Sequence, residues 1–228
     1  MDFAALHDWD LDPRQAVALQ RELAEQVRLM PTVAKSPATV AGVDVSYEKH
    51  GDHFFAAVVV LDFATLTVID QAWADDRVDF PYIPGLLSFR ELPVLLAAFR
   101  RLKTLPDLVL VDGQGIAHPR RIGLASHLGL WLNLPTVGCA KSRLCGIHDE
   151  PGMKRGEAAP LLLGDEVVGM VLRTRDRVKP LYVSPGHLLD VESATRLTLA
   201  CTRRYRMPEP TRLAHRLTNQ LRKAARPA

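Results

Sequence analysis

Three carboxylates are the residues in this chain whose types and settings could do chemistry. Asp44 stands in Val40-Ala41-Gly42-Val43-Asp44-Val45-Ser46-Tyr47, where strand alternation puts it on the face opposite Val43 and Val45. Burying an acid inside an apolar strand is costly unless it is paired, hydrogen-bonded or bound to a cation. Asp112 ends the run Leu108-Val109-Leu110-Val111, just before Gly113-Gln114-Gly115. In sheets with helical crossovers, that end of a strand faces the ligand crevice. Glu91 falls in the first turns of a helix that starts near Leu86. Two strand carboxylates and one helical carboxylate supply the hard oxygen ligands that magnesium prefers, with room left for water and phosphate. Phosphodiester hydrolysis assisted by one or two metal ions is the chemistry open to such a set. Each acid taken singly also has an ordinary structural role: Asp44 bonding a turn, Asp112 capping a loop, Glu91 solvated on a helix. Spacing alone does not join them.

The elements that must position these acids follow from periodicity. Ala16, Leu19, Leu23, Val27 and Leu29 recur at helical spacing, so residues 11–30 form an amphipathic helix that Pro31 closes. Residues 39–47, 53–61 and 66–73 are β-branched or apolar runs broken by Gly51-Asp52 and by 62–65, which predicts a three-strand antiparallel meander. A Pro-Tyr-Ile-Pro-Gly segment at 81–85 resists regular structure, and residues 86–102 return to a helical period. A strand at 108–111, a helix at 122–132 and a strand at 135–140 come next. Further strands are expected at 167–173 and 181–183, a helix at 191–205, and a last helix after Pro210. Residues 149–156 read as an exposed loop. Three antiparallel strands followed by helix, strand, helix and strand is the element order of a ribonuclease H-like fold. The fold class expected is therefore α/β, a mixed central sheet flanked by helices, though fold by itself does not assign function.

At 228 residues the chain can bury one sizeable core, so a single domain over 1–228 is expected, with an N-terminal helical extension at 1–35 and a basic C-terminal helix at 205–228. A hydrophobic fraction of 47% and a charged fraction of 24% exclude disordered and membrane compositions. The net charge of +3 permits an acidic partner without demonstrating one, and the clustering says more. Arg203, Arg204, Arg206, Arg212, Arg216, Arg222 and Lys223 form a basic tail that fits either phosphate or a solvated helical face. Three cysteines are too few and too scattered for a secreted disulfide scaffold. Cys139, Cys145 and His148 lack a fourth zinc ligand at a familiar spacing, and the cysteines read as small buried thiols. Residues 1–9 carry no basic n-region, and no apolar run approaches the ~20 residues of a membrane span. A cytoplasmic, monomeric protein with no membrane partner is expected.

Three motifs then stand in order: Gly42-Val43-Asp44-Val45-Ser46-Tyr47, the Pro81 to Glu91 segment with Tyr82, Gly85 and Leu87, and Val111-Asp112-Gly113-Gln114-Gly115-Ile116-Ala117-His118-Pro119-Arg120-Arg121. Together with Gly123 to His127 and Pro135 to Lys141, they resemble the endonuclease V family, closely over 39–146 and more loosely to Arg212. The resemblance implies a ribonuclease H-like fold and a DNA repair nuclease that depends on magnesium, with manganese a substitute. It implies nicking of the second phosphodiester 3′ to deoxyinosine, leaving 3′-hydroxyl and 5′-phosphate ends. By motif position, Asp44, Asp112 and Glu91 would hold the metal, and Lys141 would offset charge on the phosphate. Tyr82 matches a wedge that fills the gap left by an extruded base. Gly85, Gly113, Gly115, Gly123 and Gly138 match a pocket built largely of main chain, and Leu87 and Leu144 are assigned to the nucleic-acid contact with them. His118 matches a contact to the nicked strand, with Arg120 and Arg121 as phosphate grips. His215 matches a C-terminal histidine near the metal, a surface histidine being as good a reading. Gln114 receives no role. The partner implied is DNA containing deoxyinosine, with RNA left open. An inosine-specific endoribonuclease, a non-catalytic nucleic-acid-binding protein, and an ATPase of the wider fold group are the alternatives; the three acids oppose the second, and the weak glycine loop opposes the third.

Overall fold

The computed structural model describes residues 3–30, 37–48 and 51–225. The meander forms as β1 (Thr39–Tyr47), β2 (His53–Asp62) and β3 (Val68–Arg77), paired antiparallel. β3 starts later than its apolar run suggests. The Asp62 side chain accepts from the amide and hydroxyl of Thr65, and Leu66 takes a left-handed φ of 57°, so this residue belongs to the turn. β2 is buried from Phe54 to Leu61 on both faces, which makes it the centre of the core.

Helix α2 (Leu87–Arg100) follows the proline loop, then β4 (Leu108–Val111), α3 (Leu124–Leu132) and β5 (Thr136–Ala140). β4 pairs parallel to β1 on one side and to β5 on the other. The remaining elements are β6 (Ala158–Leu163), β7 (Glu166–Leu172), β8 (Leu181–His187), α4 (Val191–Ala200) and α5 (Glu209–Ala224). The eight strands form one mixed sheet in the order β3-β2-β1-β4-β5-β8-β7-β6. α2 and α3 cover one face over Ala41, Val43, Val58 and Val111; α4 and α5 cover the other over Val40, Leu110, Val137 and Val183. α1 (Pro13–Ala24) lies outside these layers, capped by Asp12 and Gln15, and packs Ala16 on Leu86 and Phe89.

The sheet contains one strand that periodicity does not predict. β6 carries Pro160 and an alanine pair, poor strand formers that an edge position tolerates, because an edge residue need not donate to a neighbour. β8 runs past its predicted end at 183 through Pro185, where the pairing with β5 shifts register. α1 stops at Ala24 and α4 at Ala200, each earlier than its apolar pattern implies, and α5 starts at Glu209 with Pro210 in its first turn. Pro31, expected to close the first helix, lies outside the described residues.

Candidate active site

The β1–β4 ladder ends at the pair Val43↔Val111, so Asp44 and Asp112 are the next residues on two adjacent parallel strands. That register sets the two acids side by side where β4 ends and β1 runs on, paired only with β2. α2 brings Glu91 to the same point, and Asp44, Glu91, Asp112, Lys141 and His215 all line one cavity of about 260 Å³. Asp44 and Glu91 are each only 8% exposed. Lys141, one residue beyond β5, forms an ion pair with Asp112. α5 completes the site: the hydroxyl of Thr218 donates to Asp44 Oδ2, and His215 Nδ1 lies 3.2 Å from the same oxygen. The amide nitrogen of Asn219 sits 3.0 Å from His215 Nε2, and it can only donate. Nε2 therefore accepts, and Nδ1–H points at Asp44.

Electrostatics tie the acids together. Burial, then the charges of Asp44 and Asp112, push the Glu91 carboxyl up to about 8. Burial also raises Asp112, against the opposing pull of Lys141. The hydrogen bond to Asp44 holds the His215 imidazole above its ordinary value. Among the described residues no three His, Cys, Asp or Glu side chains already converge as a closed set of ligands. The donor chemistry nonetheless fits a hard divalent cation: three carboxylates line one small cavity, and one of them mostly keeps its proton at neutral pH beside the other two. Positive charge facing them comes from Lys141, while the neutral His215 ring donates to Asp44 from Nδ1–H.

A second cavity, of about 400 Å³, adjoins the first, within the size range of small-molecule sites. Asp112, Leu124 and Lys141 line both. Tyr82 stands at its rim, 64% exposed on the proline loop, and Leu87, Leu144, Gly85, Gly113 and Gly123 line its walls. Gly85 has φ +83°, a conformation that side chains disfavour, and a Cβ there would press on the Arg120 guanidinium at 2.7 Å.

Several residues expected to meet nucleic acid lie differently. Gly115 and Gly138 are absent from the cavity wall; a Cβ on Gly115 would strike the Pro185 carbonyl, and one on Gly138 the Gly115 amide. They are small because backbone packs on backbone. Arg120 is turned inward, donating from Nε to Gln20 and from a terminal nitrogen to the Gly85 carbonyl at 2.8 Å. His118 is 3% exposed; Nδ1 accepts from the Arg120 amide, so Nε2–H donates to Gly85 O at 3.1 Å. Burial and the nearby guanidinium lower its pKa to about 4, which leaves the ring neutral. Arg121 pairs with Glu166. Two polar groups escaped the sequence reading: Gln20, buried in α1 and lining the larger cavity, and Thr218 on Asp44. The signal for Gln20 was a polar residue in the apolar stripe of Ala16 and Leu23.

An acid-floored cleft where β4 ends beside β1, on a ribonuclease H-like sheet, is the arrangement expected of a nuclease of that fold. Residues 21–216 match the family model described as Endonuclease V. An endonuclease V of Myxococcus xanthus is 52% identical over 216 residues, 95% of this chain and 92% of that one. The crystal structure of an endonuclease V from Streptomyces avermitilis superposes with a TM-score of 0.89 at 48% identity, covering 95% and 96% of the two chains. That of Ciona intestinalis, in complex with a 23-mer DNA containing an inosine followed by a ribo-adenosine, gives 0.80 at 28%, covering 95% and 100%. The chain belongs to the endonuclease V family, and it is a nuclease.

Proposed function

We propose that this chain is a magnesium-dependent endonuclease that recognises deoxyinosine in DNA and nicks the second phosphodiester bond on its 3′ side. The observation that carries this reading is the junction of the two cavities: Asp112, Leu124 and Lys141 line both, so one strand can seat a base in the larger and a phosphate further along its 3′ side in the smaller. Family membership and the inosine-containing DNA bound by the Ciona relative support the substrate class.

In this reading Asp44, Glu91 and Asp112 hold the cation. Bound magnesium supplies a Lewis acid for the phosphate and makes water a better nucleophile; manganese has the same ligand chemistry. Lys141 sits at the boundary of the cavities, where its ammonium offsets charge developing on the phosphate. His215, its ring oriented by Asn219, and Thr218 fix the rotamer of Asp44. Water adds to phosphorus, the P–O3′ bond breaks, and the ends left are a 3′-hydroxyl and a 5′-phosphate. Tyr82 enters the stack as the base leaves it, and Gly85, Leu87, Gly113, Gly123 and Leu144 enclose the base. His118 lines that pocket as well, and Gly115, Gly138 and Arg120 support it from behind. The protein acts as a monomer in the cytoplasm; among the described residues no helix is long and apolar enough to cross a membrane.

The test is cleavage of end-labelled duplexes carrying one deoxyinosine, one riboinosine, or neither, with magnesium, manganese or EDTA. Magnesium-dependent cutting of the deoxyinosine strand at the second 3′ phosphodiester is expected. Preference for riboinosine would make the chain an endoribonuclease, and tight binding without cutting in either metal would make it a non-catalytic binder.

A further inference from the structure

We infer that Gln20, on helix α1 outside the catalytic sheet, is a positioning residue that sets the Tyr82 loop for base extrusion; the inference rests on the function proposed above. The Gly85 carbonyl, three residues after Tyr82, receives three side-chain donors: Gln20 Nε2 at 2.9 Å, Arg120 at 2.8 Å and His118 Nε2 at 3.1 Å. A carbonyl oxygen has two lone pairs, so this one is more than fully engaged. Gln20 acts at both ends of the cluster. Its Nε2 holds Gly85, while its Oε1 accepts from Arg120 Nε and so aims the guanidinium at the same carbonyl.

Nothing else about α1 requires a glutamine at this place. Gln20 is 1% exposed and follows Ala16 by one helical turn on the side that packs against Leu86 and Phe89, where an apolar residue would be the ordinary choice. A buried amide is retained at a cost unless its hydrogen bonds are all made, and here both ends are satisfied by the segments that shape the larger cavity. Gly85 takes a left-handed φ and closes a loop that Pro81 and Pro84 already stiffen. Fixing its carbonyl therefore fixes the exposed ring of Tyr82 at the mouth.

Gln20→Met keeps the length and removes both hydrogen bonds. Gln20→Glu keeps the acceptor for Arg120 and removes the donor to Gly85, so it remains informative where the methionine variant fails to fold. Single-turnover cutting and binding would be measured for duplex and single-stranded deoxyinosine substrates, in the wild-type and Tyr82→Ala backgrounds. Gln20→Met should weaken duplex binding about tenfold, with the loss carried mainly by KM, and should affect the single strand by less than threefold. Gln20→Glu should lie between methionine and wild type. In the Tyr82→Ala background the Gln20 penalty should largely vanish, because both changes disable one loop. Equal penalties on the two substrates, or full additivity with Tyr82→Ala, would overturn the inference and leave Gln20 a structural residue. Failure of the wild type to cut deoxyinosine at all would instead overturn the proposed function beneath it.

Discussion

A divalent cation entering the acid cavity should expel close to one proton at neutral pH. Glu91 is buried beside Asp44 and Asp112, and burial together with those two charges pushes its carboxyl up to about 8. At pH 7 such a group holds its proton roughly nine times in ten, so a cation that needs the carboxylate displaces roughly 0.9 proton. At pH 9 the carboxylate is already ionised, and release falls to roughly a tenth. Affinity accordingly tightens about tenfold per pH unit below 8 and levels off above it. Asp112, raised by burial, adds in the same direction. Titration calorimetry with manganese or magnesium, in buffers of different ionisation enthalpy at pH 6, 7 and 9, counts the protons. Glu91→Gln should leave only what Asp112 contributes. Release below about 0.2 proton at pH 7 would refute the coupling of the three acids. An unchanged count in Glu91→Gln would refute Glu91 as its source.

The same shifts act on stability without a cation. A carboxyl whose folded pKa lies above its unfolded value penalises folding increasingly as pH rises from about 4.5 to about 8, so the thermal midpoint should fall between pH 6 and 9, and Glu91→Gln should flatten that slope. Asp44→Asn and Asp112→Asn should abolish nicking while raising the cation-free midpoint, whereas Lys141→Met should cut single-turnover nicking by about 10²- to 10³-fold with the protein still folded. In Gly42→Ala the new Cβ would come within 1.9 Å of the Pro210 backbone, so α5 must shift; a loss of about 1 to 3 kcal/mol in urea unfolding is expected, with His215 displaced from Asp44. Tyr82→Ala should weaken inosine-duplex binding by about tenfold to a hundredfold, the worth of one stacked ring, and single-strand binding by much less. Equal losses on both would make Tyr82 a loop anchor.

The parts of the fold legible in the sequence are those where one local rule dominates. β1, β2 and β4 are runs of β-branched residues bounded by turn formers, and they appear where periodicity puts them. β6 was illegible because Ala158, Ala159 and Pro160 have no strand propensity; pairing with β7 makes it a strand. α4 continues to 205 in the apolar pattern yet ends at Ala200, since the next backbone groups bond elsewhere: Cys201 O accepts from the Glu209 amide and Thr202 O from Arg155. At the site, the three acids were each legible as chemically suspicious but were joined only by the motif resemblance. The inward turn of Arg120 was illegible because charge in a sequence carries no direction. Its partners, Gln20 and Gly85, are 100 and 35 residues away. Thr218 was hidden for the same reason, 174 residues from the Asp44 carboxylate it supports.

The register of one short parallel ladder accounts for the arrangement. β1 and β4 pair over four residues and stop at Val43↔Val111, which leaves Asp44 and Asp112 adjacent where β4 ends beside the continuing β1, between helical layers. Alternation would send the Asp44 side chain toward the α5 face, and there Thr218 and His215 take hold of its Oδ2. Gly42, on that same face two residues earlier, has no side chain, and this lets the start of α5 pack directly on the strand. Glu91 reaches the same opening from α2 on the opposite face. The acids therefore meet only where β4 ends, because the sheet separates the two helical layers along the paired length of β1 and β4. Shifting β4 by one residue against β1 would keep both motifs intact in the sequence and still put Asp44 and Asp112 out of step, which makes the ladder as necessary to the site as the carboxylates.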